Sequence, residues 1–147
     1  MAVSSVATQR ISMVEFIFLL SGLMSCVALC IDAVLPALGF MARDFAVDAS
    51  ATQLVITSLF AGFALGQLLY GPVSDLCGRL PGIYAGLLVL VIGSVIAMLA
   101  QSLEMMLLGR FLQGIGASGP RIMVSALVRD CFSGRAMARV MSLAFTV

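Results

Sequence analysis

Four long apolar runs alternate with short polar stretches along this chain, at about Val14–Leu38, Thr52–Pro72, Gly82–Ala100 and Met105–Val128. Crossing the roughly 30 Å core of a bilayer takes about 20 helical residues. The pattern therefore predicts four transmembrane helices. The stretches between them, Gly39–Ala51, Val73–Pro81 and Gln101–Glu104, are short, which predicts that successive helices pack as antiparallel neighbours. A fifth apolar pattern starts near Met137 and runs to Val147. Eleven residues of helix cover only about 16 Å, so this segment by itself does not span.

Composition agrees. The 147 residues are 62% hydrophobic and 10% charged, against about 25% charged in an average soluble domain. Mean hydropathy is +1.17. The first run is far longer than the roughly 7–15 residues of a signal-peptide core, and three more follow, so it reads as a retained helix. All 8 basic residues are arginine and no block of them forms a basic arm, which excludes a nucleic-acid partner as the reading. Cys26, Cys30, Cys77 and Cys131 lack zinc-site spacing, and the chain has no histidine. Neither a metal, a cofactor nor a disulfide framework is expected.

Arginine placement predicts orientation. Under alternating topology Arg10, Arg79, Arg129, Arg135 and Arg139 flank one side, while Arg43 falls on the other with Asp44, Asp48 and Glu104. The excess of arginine marks the cytoplasmic side and puts the N-terminus there.

Charges inside apolar runs are the candidate chemistry. Asp32 lies in the interior of the first run, and Ser21, Ser25 and Asp32 share one helical face. A carboxylate at membrane depth costs roughly 2.5–3.5 kcal/mol on insertion scales, so it normally faces a bundle interior or a wet cavity. It is also able to exchange a proton, which suggests proton-linked transport. In the fourth run Arg110, Gln113, Gly114, Ala117 and Arg121 fall on one face. Facing a cavity, that stripe is a cationic wall opposite Asp32. The competing reading is a buried Asp32–arginine pair that only fixes packing. No Ser/His/Asp, Cys/His or phosphate-cradling arrangement appears, so the chain does not read as an enzyme.

Small residues repeat in Gly62-x-x-x-Gly66 and Gly82-x-x-x-Gly86, a spacing that permits close helix packing, with a hinge as the lesser alternative. In the loop from Gly71 to Pro81, Gly71 and Pro72 are expected to end the second helix and Gly78 to allow a tight turn. Asp75 can sit at a helix N-terminus, and Arg79 can bond carbonyls at a helix C-terminus.

Taken in order, these motifs resemble a known family. Gly71-x-x-x-Asp75-x-x-Gly78-Arg79 is similar to the loop motif of the major facilitator superfamily. Arg110-Phe-Leu-Gln113-Gly114-Ile-Gly116-Ala117 resembles the fourth-helix motif of its drug:proton antiporters. Ile31 to Leu38, Gly119-Pro120-Arg121 and Ala126 to Asp130 resemble its Bcr/CflA multidrug-efflux subfamily. The resemblance covers nearly the whole chain. It departs at Leu76 and Leu80, where the family usually has basic residues, and at Gly39, where many relatives have proline.

The resemblance implies roles. Gly71, Asp75, Gly78 and Arg79 would form a cytoplasmic gating loop. Arg110 would couple proton and substrate movement, with Gln113 and Arg121 beside it, and Asp32 would meet a cationic substrate or proton. It implies an all-α membrane protein with the major facilitator fold, here the first four transmembrane helices and the start of a fifth. Residues 1–147 would be the N-terminal part of one transporter domain. The function implied is proton-coupled efflux of small cationic or amphipathic drugs across a bacterial inner membrane. Its partners would be lipid, drug, protons and C-terminal helices beyond these. The alternatives are a truncated membrane protein without transport activity and a small oligomeric four-helix multidrug pump.

Overall fold

In the computed structural model, which describes residues 13–145, six α-helices follow one another. They are α1 (Met13–Asp32), α2 (Leu38–Asp44), α3 (Ala49–Cys77), α4 (Arg79–Met98), α5 (Leu103–Cys131) and α6 (Gly134–Phe145). Arg10 lies outside the described residues, and so do the side chains of Cys26, Asp75 and Cys77.

The helices form where the apolar runs predicted them, with two displaced boundaries. The first run does not continue to Leu38 as one α-helix. It stops at Asp32, passes through a 3-10 turn over Leu35–Ala37 and restarts as α2. Pro36 explains the break, because proline disfavours α geometry at the residue before it and cannot donate to the helix ladder. Asp32 therefore sits at a helix end and not mid-helix. The opposite happens at Pro72, which does not end the second helix. α3 runs through it to Cys77. The turn is then a single residue, Gly78, whose φ of 90° is open to glycine. Ser102 caps α5, its hydroxyl oxygen accepting from the Met105 N–H at 3.3 Å.

Among the described residues, three stretches are long and apolar enough to cross a membrane: Ile17–Asp44, Ser50–Val73 and Arg79–Met98. α5 has 29 residues, enough for about 43 Å, but it carries Arg110, Arg121 and Arg129. Its position resolves the difference. α5 runs between α3 and α4 as the central helix of the group, so its polar residues face helices before they face lipid.

The packing order corrects one expectation. α4 and α5 are antiparallel neighbours, Gly82 lying by Met123 and Ala97 by Gly109. α3, however, packs chiefly along α5 and touches α4 little. The two run parallel, with Ser58 donating to the Leu107 carbonyl at 2.7 Å and Gly66 lying against Ile115 and Ser118. Glycine makes both interfaces. A Cβ on Gly62 would strike the Phe111 carbonyl, and one on Gly114 would strike that of Leu59. On the other side a Cβ on Gly86 would sit 2.7 Å from Pro120 Cδ, and one on Gly116 would strike Leu90. The paired glycines are thus packing devices that let backbones meet, as in small-residue membrane interfaces.

α1 stands off to one side. With α5 and α6 it forms an apolar cluster of Leu20, Met24, Val124, Val128 and Val140. A second cluster, Val34, Val55, Ala97 and Met106, ties the α1–α2 link to α3, α4 and α5. Large apolar side chains such as Phe18, Leu68, Tyr84 and Met98 point outward and stay more than 70% exposed. That is the surface of a protein whose outer solvent is lipid.

Candidate functional site

The stripe on α5 splits into two places. Its N-terminal end is closed. Gln113, Gly114 and Ala117 are buried, and Arg110 is half-buried. Arg110 Nη1 donates to Gln113 Oε1 at 3.0 Å and reaches the Cys30 carbonyl of α1 at 3.5 Å. Gln113 Nε2 in turn donates to Ser94 Oγ of α4 at 2.7 Å. The Nε atom of Arg110 is buried without a hydrogen-bond partner. Beside the guanidinium is a cavity of about 10 Å³ lined by Ile31, Val34, Val55, Ile56 and Leu59. Such a space is at the lower limit for one water molecule.

Asp32 does not join this cluster. It is exposed at the end of α1, and among the described residues no ion pair links it to an arginine. Ser21, Ser25 and Asp32 all lie within the continuous helix α1. Ser21 is buried, Ser25 donates to the Ser21 carbonyl at 2.9 Å, and Asp32 is exposed.

The other end of the stripe is open. Arg121 is exposed and lies 5.7 Å from the Phe63 ring centre of α3, within range of a cation–π contact. It lines a pocket of about 370 Å³ with Gln67, Gly71, Arg79, Ser125 and Arg129. Two groups that looked separate in sequence, Arg121 and the loop residues Gly71 and Arg79, thus share one cavity wall. Arg79 reaches a side chain across the turn: its Nε donates to Asp130 Oδ2 at 3.0 Å, tying the start of α4 to the end of α5. Gly78 turns the chain so that this contact is made.

Sequence reasoning missed Ser94, Gln67 and Arg129 as site residues. Ser94 had a signal, being a lone hydroxyl in the apolar interior of α4. Arg129 was read as a topology marker and as part of the Ala126–Asp130 resemblance, and Gln67 carried no signal. The described residues include no group of histidine, cysteine or carboxylate side chains able to hold a metal.

Buried polar residues on a central glycine-packed helix, an arginine pocket at the helix ends and a one-residue turn occur here in a fixed order along the chain. Residues 20–147 match the family profile described as Major Facilitator Superfamily. The chain belongs to the major facilitator superfamily. Among its relatives, an uncharacterised transporter of this type, YdgK of Bacillus subtilis, is 35% identical over 117 residues, covering 80% of this chain and 29% of YdgK. A chloramphenicol resistance protein of Pseudomonas aeruginosa is 37% identical over 131 residues, covering 89% of this chain and 31% of the relative. Multidrug resistance protein D of Escherichia coli is 31% identical over 109 residues, or 74% and 28% of the two chains. The chain spans less than a third of these relatives' length. No solved structure matches it.

Proposed function

We propose that this chain is the N-terminal part of a proton-coupled multidrug efflux transporter of the Bcr/CflA type, in the bacterial inner membrane, with its N-terminus in the cytoplasm. The observation that carries the reading is Arg110. It is half-buried in an interior helix, bonded to a neutral amide and a backbone carbonyl. A charge at membrane depth is costly, and one held there without a carboxylate partner among the described residues is a functional group by default. The resistance proteins among its relatives supply the substrate class: small drugs. The reading is of a carrier and not of an enzyme.

The remaining candidate residues divide by position. Arg110 and Gln113 form the coupling element. Arg121 and the Gly71–Arg79 turn, with Asp75, belong to the cytoplasmic gate. Asp32 is the contact for cationic drugs, because the pocket at the other end of α5 is walled by arginines and repels cations. In folds of this kind the substrate lies between two repeats, so the opposite wall comes from helices in the rest of the relatives' length.

The test is efflux of ethidium and of chloramphenicol from cells expressing the complete transporter at a measured membrane level. Protonophore-sensitive export of either compound supports the reading, and export that ignores the protonophore overturns proton coupling. In that system Asp32→Asn should lose most ethidium export and keep most chloramphenicol export. Equal export of both by the variant would remove Asp32 from the substrate path. For orientation, Cys131 is exposed at the end of α5. It should resist an impermeant maleimide in intact cells and react once they are permeabilised.

A further inference from the structure

Arg110 is placed by a hydrogen-bond chain that crosses three helices, and the anchor of that chain is on α4. Ser94 Oγ donates to the Leu90 carbonyl of its own helix at 2.8 Å. A hydroxyl has one proton, so towards Gln113 Ser94 acts only as an acceptor. It receives Gln113 Nε2 at 2.7 Å. That contact decides which end of the amide faces which way. With the amino end held by Ser94, Gln113 turns Oε1 to Arg110 Nη1, 3.0 Å away. The reversed amide would set its NH₂ group against a guanidinium, donor against donor.

The dependence of Arg110 on this amide is strong because little else holds it. The Cys30 carbonyl lies at 3.5 Å, the outer edge of hydrogen bonding, and the buried Nε has no partner. Close approach of α4 to α5 is what brings Ser94 within reach. At Gly93, the residue before it, an added Cβ would lie 2.5 Å from the Gln113 backbone nitrogen and 2.8 Å from the Gly109 carbonyl oxygen. The glycine and the serine therefore act together, one admitting the helix and the other using the contact.

We propose that Ser94 is a positioning residue for Arg110, acting through Gln113 by fixing the orientation of its side-chain amide. Ser94 touches neither substrate nor proton. It makes the guanidinium's principal acceptor a carbonyl oxygen at a set place, so that the charge is presented to α1 in one geometry. A misplacement of a functional group by about 1 Å can lower a rate by orders of magnitude. This inference rests on the proposed coupling role of Arg110.

The experiment measures gradient-driven ethidium transport by the complete transporter in proteoliposomes with an imposed pH difference. Ser94→Ala should lower kcat about tenfold with KM unchanged. Ser94→Thr keeps a hydroxyl that can bond the carbonyl four residues back, and should stay near the wild-type rate. Gln113→Glu removes the donor that Ser94 holds while keeping an acceptor for Arg110, so adding Ser94→Ala to it should change kcat no further. A purely structural Ser94 would give additive losses in the double variant and no selective rescue by threonine, and either result overturns the inference. Where Ser94→Ala incorporates poorly, the comparison of Ser94→Thr with Ser94→Val decides, since the two side chains match in shape and differ in the hydroxyl. Equal kcat for that pair also overturns it. Wild-type transport indifferent to the pH difference would overturn the proton-coupled reading and this inference with it. Gradient-driven wild-type transport with an unaffected Ser94→Ala overturns this inference alone.

Discussion

Arg110 and Arg121 lie eleven positions apart on one helix and one face, and they live in opposite surroundings. About 16 Å of helix separates them. At Arg110 the backbones of α3, α4 and α5 close together over glycines, and the guanidinium is held through Gln113 and Ser94. At Arg121 the helices part into a pocket of about 370 Å³, and the guanidinium lies over an aromatic ring near the surface. The lesson is that a charge stripe on a helix is not one functional surface. What each arginine does is decided by how near the neighbouring backbones come, and glycine on those neighbours sets that distance.

The widest contrast to expect is between glycines at the two ends. Gly114→Leu should remove the folded protein from the membrane, because any Cβ there strikes the Leu59 carbonyl and crowds the Phe63 nitrogen at 2.7 Å. Backbone atoms cannot step aside as side chains can, so the effect should exceed the roughly 1–3 kcal/mol of ordinary overpacking. Gly71→Ala, in the pocket wall, meets nothing within 4 Å and should be close to neutral. Fluorescence-detected size exclusion after graded heating measures both. Equal stability of the two variants would break the comparison at its base.

Next in size is the charge itself. Arg110→Ala should insert normally and lose export of cationic and neutral drugs alike, by about a hundredfold in rate. Arg110→Lys should recover only part of the rate, because both contacts leave from the single nitrogen Nη1 and a strongly hydrated ammonium on a flexible stem is a poorer substitute at that place. Arg121→Gln should cost much less, since an exposed cation–π contact is worth about 0.5–1 kcal/mol. Drug accumulation at matched membrane levels ranks the three. If Arg121→Gln proved as damaging as Arg110→Ala, the open end would hold the coupling group.

How much of this was written in the sequence follows from which physics each feature needs. The helices were legible because bilayer thickness fixes a run length that any reader can count. The glycine interfaces were legible too, since Gly62-x-x-x-Gly66 and Gly82-x-x-x-Gly86 leave a mark at helical spacing. The two proline positions were not. Pro36 breaks its helix and Pro72 does not, and the difference lies in what surrounds each one. The pairing of α3 with α5, skipping α4, was hidden because loop length constrains only which neighbours are possible. Among candidate site residues, Arg110 and Gln113 came together as spacing implied. Asp32 did not join them, lying exposed at the last position of α1. Ser94 left only a faint mark, a hydroxyl in an apolar helix, because a serine acquires its meaning from its partner across the interface.

The smallest effect belongs to the ion pair that closes the open end. Arg79 and Asp130 meet at 3.0 Å with side chains 28% and 54% exposed. Exposed pairs contribute about 0.2–1 kcal/mol and are weakened by salt. Arg79→Gln should therefore leave thermal stability nearly unchanged, shifting it by no more than this range. Transport should respond more than stability does, because the pair joins the first turn of α4 to the last turn of α5 and so fixes the mouth of the arginine pocket. Asp130→Asn should also give a partial loss, and the double variant should lose less than the sum of the two singles, as expected when two residues interact. Raising ionic strength should shrink the difference between wild type and Arg79→Gln. Dye efflux measured at low and high salt for the four proteins of this cycle checks each point. A salt-independent loss, or additive losses in the double variant, would mean that the two side chains act separately and that the open end of α5 is held by contacts other than this bridge.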